Sequence, residues 1–292
     1  MQKLSPIEIN EICEELGETY PKSIEQVHGG DIHNAWRIEF SNKKLFLKRN
    51  IRNEKFLEFE KYCLQHLRKY INQENLVIPE VIAYKNIKNI EILLIEWIDM
   101  HNFDQKKLGK GLGELHLKSA ESNPKMFGFP VEGFIGTTDQ KKGLEDNWID
   151  CFLNLRIIPQ LLSLKSRILD KEIINKVKEK MKSELLNHKP INALVHGDLW
   201  SGNAGIDKNG KGVIFDPASW WADNEVDIAM TKLFGGFRKE FYEEYHRIFP
   251  IKNGFEKRII IYNFYHILNH ANMFGGGYLN QVEDYVKAIL KM

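Results

Sequence analysis

The chain has 292 residues, 43% apolar and 28% charged, and its 41 basic residues nearly cancel 40 acidic ones for a net charge of +1. That balance belongs to a globular protein of one or two lobes rather than to a disordered or fibrous chain. It also lacks the basic excess of a dedicated nucleic-acid binder, so no nucleic-acid partner is expected.

Residues 5–16 place Ile9, Ile12, Cys13 and Leu16 at helical spacing, with Pro6 at the start, where its missing N–H costs nothing. Val27-His28-Gly29-Gly30-Asp31 reads as a glycine turn, and residues 35–40 and 45–48 as two antiparallel strands joined by Ser41-Asn42-Lys43-Lys44. Residues 54–70 put Phe56, Phe59, Cys63, Leu64, Leu67 and Tyr70 on one helical face. Residues 81–84 and 90–98 read as further strands separated by a connection at 85–89. Past Asp99 the periodicity turns helical, over 108–117, 148–164 and 170–186, with a glycine- and threonine-rich loop at 127–139. The expected fold is α+β and bilobal, with a β-rich lobe over 1–99 and a mainly helical lobe over 100–292. Cys13, Cys63 and Cys151 form no CxxC pair, which argues against a zinc site or a disulfide framework and suits a reducing compartment. No apolar run is long enough to span a bilayer and the first ten residues have no signal-peptide core, so a cytoplasmic protein without a membrane partner is expected.

The segment that carries chemistry is His196-Gly197-Asp198-Leu199-Trp200-Ser201-Gly202-Asn203, with Asp216 thirteen residues after Asn203. Between them, Asp207-Lys208-Asn209-Gly210-Lys211 signals a tight turn. A loop, a short hairpin and then an acidic residue is the layout that phosphoryl transfer needs. Asp198 would take the proton of the attacking hydroxyl, while Asn203 and Asp216 would hold Mg²⁺ against the triphosphate of ATP. Each of the three residues alone reads as a turn former or a helix cap; their joint spacing carries the assignment. Lys48 ends the second strand and Glu60 follows twelve residues later, a pair suited to reaching and steadying the phosphates. Taken singly, they are an exposed lysine and a solvent-facing helix glutamate.

Four weaker readings complete the set. Gly29 and Gly30 could bring backbone amides to phosphates, or simply form a hairpin turn, since GxGxxG spacing is absent. Glu96-Trp97-Ile98 could meet adenine through the Glu96 carbonyl and the Ile98 amide, or be a buried edge strand. Trp220 and Trp221 read as core aromatics, or as one flank of a sugar ring. Asp227 reads as a brace for the 196–203 loop, Glu225 stays open between substrate contact and bracing, and His116 reads as a satisfied helix histidine.

Together these segments resemble the fructosamine kinases (ketosamine-3-kinases), relatives of the aminoglycoside phosphotransferases and choline kinases within the protein-kinase-like group. The resemblance runs from Gly29-Gly30-Asp31-Ile32 onward. Its generic part is the 196–203 motif with Asp216. Its narrower part is Leu199-Trp200-Ser201-Gly202, Phe127-Gly128-Phe129, Gly136-Thr137-Thr138-Asp139-Gln140, Asp146-Asn147-Trp148, Asp216-Pro217-Ala218 and Glu225-Val226-Asp227-Ile228-Ala229-Met230. The resemblance implies a nucleotide-binding first lobe, a catalytic second lobe, and ATP-dependent phosphorylation of the sugar 3-hydroxyl of ketosamines. The acceptor would be a small ketosamine or a glycated protein lysine, in a deglycation role. Departures from the family pattern, at His33, Lys141-Lys142-Gly143, Trp221-Ala222 and Asn224, spare the metal and base positions and bear on substrate identity. A kinase for another hydroxylated amine, such as an aminoglycoside or choline, and a catalytically silent nucleotide-binding scaffold are the competing readings. The intact Lys48, Asp198, Asn203 and Asp216 argue against the scaffold, and the oligomeric state is left open.

Overall fold

The computed structural model describes residues 3–27, 34–52, 54–164 and 169–292, so the Gly29-Gly30 turn lies outside the described residues. Helix α1 (Pro6–Leu16) starts on a capping box in which Ser5 and Glu8 exchange hydrogen bonds. Then come β1 (Ser23–Val27), β2 (Asn34–Glu39), β3 (Lys44–Asn50), α2 (Phe56–Leu67), β4 (Leu76–Val77), β5 (Val81–Ile87) and β6 (Ile90–Glu96). The long strands form an antiparallel sheet in the order β1-β2-β3-β6-β5. Strand β1 has no counterpart in the sequence reading, because an edge strand that is nowhere fully buried leaves little alternation to detect.

Alternation in β3 and β6 sorts side chains onto two faces. Leu45, Leu47, Ile92 and Leu94 pack toward Ile9 and Ile12 of α1, whereas Leu93 and Ile95 pack with Leu57, Leu64 and Leu67 of α2. Lys48 lies opposite Leu93 in the register and therefore shares the α2 face. The connection expected at 85–89 is shorter than that. Lys85–Ile87 stays paired in β5, and only Lys88 and Asn89 turn, with φ of 51° and 68°, as a two-residue hairpin turn requires.

The N-terminus of α2 has no side-chain cap of its own, since Lys55 offers no acceptor. Glu91 of β6 accepts from the amides of Leu57 and Glu58 at 3.2 and 2.9 Å instead. The same buried carboxylate accepts from Asn50 Nδ2 and Tyr84 Oη, each at 2.8 Å. A single anion thus satisfies two orphan helix donors and complements the helix dipole.

The rest of the chain is mainly helical. It contains β7 (Met100–His101), α3 (Lys106–Glu121), β8 (Phe127–Phe129), β9 (Gly133–Ile135), β10 (Thr138–Gln140) and β11 (Gly143–Glu145). Next come α4 (Trp148–Phe152), a π-helical turn (Leu153–Ile157), α5 (Ile158–Ser163) and α6 (Lys171–Leu185). Strands β12 (Asn192–Val195), β13 (Ala204–Asp207), β14 (Gly212–Ile214) and β15 (Trp220–Asp223) precede α7 (Glu225–Leu233), α8 (Lys239–Ile248), α9 (Phe255–Phe274) and α10 (Gly277–Leu290). The stretch 127–139, expected as a loop, instead contributes three short strands. β8 lies between β11 and β15, and β9 pairs with β10. Strands of three residues are too short for period-two alternation to show.

Two small sheets, ordered β11-β8-β15-β12 and β4-β14-β13-β7, carry the 196–203 loop and the hairpin after it. Around them α9 buries Ile261, Tyr262, Phe264, Tyr265, Ile267 and Leu268 in the main core. Cys63 and Cys151 are buried free thiols. Among the described residues no helix is long and apolar enough to cross a membrane.

Glu91→Ala leaves the amides of Leu57 and Glu58 without their acceptor and takes one acceptor from Asn50 Nδ2 and one from Tyr84 Oη, and is expected to lower stability by about 3 kcal/mol. Urea unfolding measures this; a loss below half a kcal/mol would contradict the capping role.

Candidate functional site

The buried strand β12 delivers the chain into the 196–203 loop, and Asp227 in the first turn of α7 receives it. The amides of His196 and Gly197 donate to the two Asp227 oxygens at 2.7 and 2.9 Å. His116 of α3 lies 3.2 Å from the same carboxylate through Nε2, and 2.9 Å from Tyr245 Oη through Nδ1. Burial pushes the Asp227 carboxyl up, but the hydrogen bond and charge of His116, helped by the Gly197 amide, outweigh it and hold it below its ordinary value.

The His196 ring donates from Nε2 to the Phe215 carbonyl at 2.9 Å and accepts the Asp198 amide at Nδ1 at 3.3 Å. That arrangement defines a neutral imidazole, and burial lowers its pKa accordingly. Gly197 has φ of 85°, and a Cβ there would sit 2.1 Å from the Ala218 carbonyl oxygen, so only glycine fits.

Asp198 keeps an edge open to a cleft of ≈ 370 Å³. Burial lifts its carboxyl to about 7, with the Asn203 hydrogen bond pulling down and Asp227 adding to the rise. Asn203 donates its Nδ2 protons to the Asp198 carbonyl at 2.9 Å and to Asp198 Oδ2 at 3.1 Å, which leaves Oδ1 outside these bonds. Asp216 follows β14 with φ of 58°, a left-handed backbone that costs an L-residue of order 1–3 kcal/mol. Its carboxylate contacts the Lys48 ammonium, which also lies 2.9 and 3.0 Å from the two oxygens of Glu60. Lys48, Glu60, Asp198, Asn203 and Asp216 therefore line one cleft.

Other expected residues are not part of this lining. Glu96 is exposed at the end of β6, with its amide bonded to the Glu80 carbonyl. The Trp97 ring meets Phe46 at 6.1 Å and the Arg37 guanidinium at 5.4 Å, and its Nε1 donates to Asp99. These two and Ile98 are outside the described lining of the cleft. Trp220, open between a core aromatic and a substrate contact, is a core residue: it is fully buried, stacked on Trp148 at 5.6 Å and covered by the Arg156 guanidinium at 4.2 Å. Glu225, kept open as a substrate contact, is buried and held by Arg258 through bonds of 2.5 and 2.9 Å, so it braces α7 to α9.

The sequence reading missed the far wall of the cleft. Trp200, Phe234, His270, Phe274 and Tyr278 line it next to Asp198. Trp200 meets Phe234 edge-on at 6.1 Å, Phe234 lies 4.8 Å from His270, and His270 lies 5.1 Å from Tyr278. Burial lowers the His270 pKa, so the wall is uncharged at neutral pH. A Cβ on Gly202 would strike the Trp200 ring at 2.3 Å, so the glycine lets that ring fold across the turn Ser201–Asn203. Trp200 was visible within its motif as a large aromatic in a polar loop. The other four carry no local signal.

A family model described as "Fructosamine kinase" matches residues 6–292. A protein of Vibrio vulnificus named "Probable ketoamine kinase" is 35% identical over 288 residues, covering 96% of this chain and 98% of its own length. One of the same name from Synechocystis sp. is 35% identical over 296 residues, covering 99% of both. Among solved structures, one from Haemophilus somnus, named provisionally as a fructosamine-3-kinase, superimposes with a TM-score of 0.84 at 24% identity, over 97% of this chain and 96% of that one. An aminoglycoside phosphotransferase in ternary complex with ADP and hygromycin B gives a TM-score of 0.65 at 14% identity, covering 97% of each chain. These structures identify the fold as the bilobal protein-kinase-like one.

Because the folded Asp227 carboxyl titrates below its ordinary value, its contribution to stability is full above the unfolded value of about 3.9 and fades as pH falls through the lower folded value. Asp227→Asn is expected to cost about 2–3 kcal/mol at neutral pH, and the gap to wild type should narrow below about pH 4. Denaturant unfolding across pH checks both; a gap that is constant down to pH 3 would contradict the assignment.

Proposed function

The chain belongs to the fructosamine kinase family and is a small-molecule kinase, and from that premise we propose that it transfers the γ-phosphoryl group of ATP to the 3-hydroxyl of a ketosamine. The observation that supports this best is the convergence of Lys48, Glu60, Asp198, Asn203 and Asp216 on one cleft. Asp198 is the proton acceptor. As the acceptor oxygen bonds to the γ-phosphorus, the bond to the β–γ bridging oxygen breaks, ADP leaves, and the hydroxyl proton passes to Asp198. Lys48, steadied by Glu60, binds the phosphates. Asn203 and Asp216 suit a hard divalent cation, since Asn203 turns its NH₂ toward Asp198 and keeps an oxygen available, and Asp216 adds a carboxylate. When bound there, Mg²⁺ would neutralise charge on the phosphate oxygens. Gly29 and Gly30 would contribute amides to the phosphates, and the Glu96–Ile98 backbone would meet adenine. On this reading residues 1–99 form the nucleotide lobe and 100–292 the catalytic lobe.

The aromatic wall beside Asp198 is the acceptor's platform, because ring faces pack against the apolar face of a sugar. Among the described lining residues the carboxylates are Glu60, Asp198 and Asp216, all at the phosphate end. A polycationic aminoglycoside would find no counter-charge along the wall, whereas a quaternary amine such as choline would find rings. Choline is therefore the second reading to test. Trp200 and Phe274 are 38% and 51% exposed, which leaves the rim open to an adduct carried on a lysine side chain. Phosphorylation there would serve deglycation, since ketosamine 3-phosphates are unstable.

Incubation with ATP and Mg²⁺ is expected to phosphorylate ribuloselysine or fructoselysine at the 3-hydroxyl, with Asp198→Asn lowering turnover by about 10²–10⁴-fold. Turnover of choline with neither ketosamine phosphorylated would overturn the proposal. Trp200→Ala should raise the acceptor KM by about tenfold through lost ring contact, with the ATP KM little changed; steady-state kinetics in both substrates decides it.

A further inference from the structure

Helix α2 carries Glu60 and is held from two sides. The sheet holds it through Glu91, and the β9–β10 hairpin holds it from the other lobe. Phe134 of β9 packs on Phe56 at 4.4 Å and on Phe59 at 6.3 Å. Phe129 of β8 meets Phe59 at 6.2 Å and Tyr62 at 5.5 Å. Gly133 is buried directly against the far edge of the Phe59 ring, where a Cβ would lie 2.3 Å from Cζ and 2.4 Å from Cε2. Its backbone is not left-handed, so glycine is required there for space rather than for conformation.

The same hairpin reaches the segment after Asp216. Gln140, opposite Gly133 in the register, is buried and donates from Nε2 to the Ala218 carbonyl at 3.3 Å. Tyr265 of α9 donates to Gln140 Oε1 at 3.2 Å, which fixes the amide in that orientation. Strand β9 of the hairpin thus bears on the helix of Glu60, and its partner strand β10 on the chain that carries Asp216. Those are the two carboxylates that contact Lys48.

We propose that the 133–140 hairpin is a spacer that sets the separation of Glu60 from Asp216, and that Gly133, Phe134 and Gln140 are positioning residues for Lys48. The proposal deepens the kinase reading, since Lys48 is there the phosphate ligand. Helix α2 is wedged in place by rings from the second lobe, and that packing keeps Glu60 beside Lys48. A side chain larger than hydrogen at residue 133 must displace the Phe59 ring, and on this proposal α2 shifts with it.

The test uses the full chain without nucleotide. Lys48 reactivity toward an amine-acylating reagent is read by peptide mass spectrometry, beside circular dichroism and ATP kinetics. Gly133→Ala is expected to raise Lys48 labelling roughly fivefold and the ATP KM about tenfold, with a smaller change in kcat. Adding Phe59→Leu removes the ring atoms that clash and should return both to within about twofold of wild type. A merely structural role would lower the melting temperature without this paired rescue. Unchanged Lys48 labelling in folded Gly133→Ala, or independent effects of the two substitutions, would overturn the proposal. Should Gly133→Ala not fold, Phe134→Leu, which loses the contact with Phe56, is read by the same labelling, and an unchanged value overturns it equally. Altered labelling in a protein that never turns over ATP would keep the spacer and remove the kinase reading; ATP turnover with labelling unchanged in folded Gly133→Ala would do the reverse.

Discussion

Two buried backbone amides, at His196 and Gly197, would stand unpaired if the Asp227 carboxylate were not beneath them. Leaving such donors without acceptors costs about 1–3 kcal/mol each, so the loop cannot separate from α7 without that penalty. Asp227 occupies the first turn of α7, where the helix dipole favours an anion, and His116 ties it to α3. The Ala218 amide returns to the His196 carbonyl at 2.9 Å, which closes the chain after Asp216 onto the same loop. Loop, helix and the segment after Asp216 are therefore tied together by hydrogen bonds. The direction of the Asp198 carboxyl follows from the fixed peptide units before it.

Lys48 joins this body to the sheet. One ammonium set against Glu60 and Asp216 leaves an excess of negative charge beside Asp198 and Asn203, a setting that suits a divalent cation with a polyphosphate. A buried ion pair contributes little net stability because desolvation offsets its attraction. Its value here is geometric, and it depends on both partners being held by other means. Glu91 and the rings of the 129–134 segment hold the Glu60 helix, and the left-handed backbone at Asp216 turns its carboxylate toward the cleft.

Legibility in the sequence followed the range of the interaction. The helical spacing of Ile9, Ile12, Cys13 and Leu16, the turn signal at 207–211 and the strand pattern at 45–48 are local, and each matched an element. Strands of three residues at 127–140 were not readable, since their pairing partners lie across the chain at β15 and within a compact hairpin. The cap of α2 was equally hidden, because its acceptor is 33 and 34 residues away on β6.

By itself the sequence determined which polar residues meet in the cleft, because Asp198 and Asn203 with Asp216, and Lys48 with Glu60, are spaced along the chain at intervals that a loop, a hairpin and a helix convert directly into proximity. Only the tertiary structure decided which aromatic and acidic residues around that chemistry face the cleft. Trp200 and Trp220 are both tryptophans close to the motif, yet one folds over a glycine turn into the cleft and the other stacks on Trp148 in the core. Glu225 became a brace because Arg258, a full helix away, found it. Burial is a property of what the rest of the chain brings alongside, and no spacing within a motif encodes it.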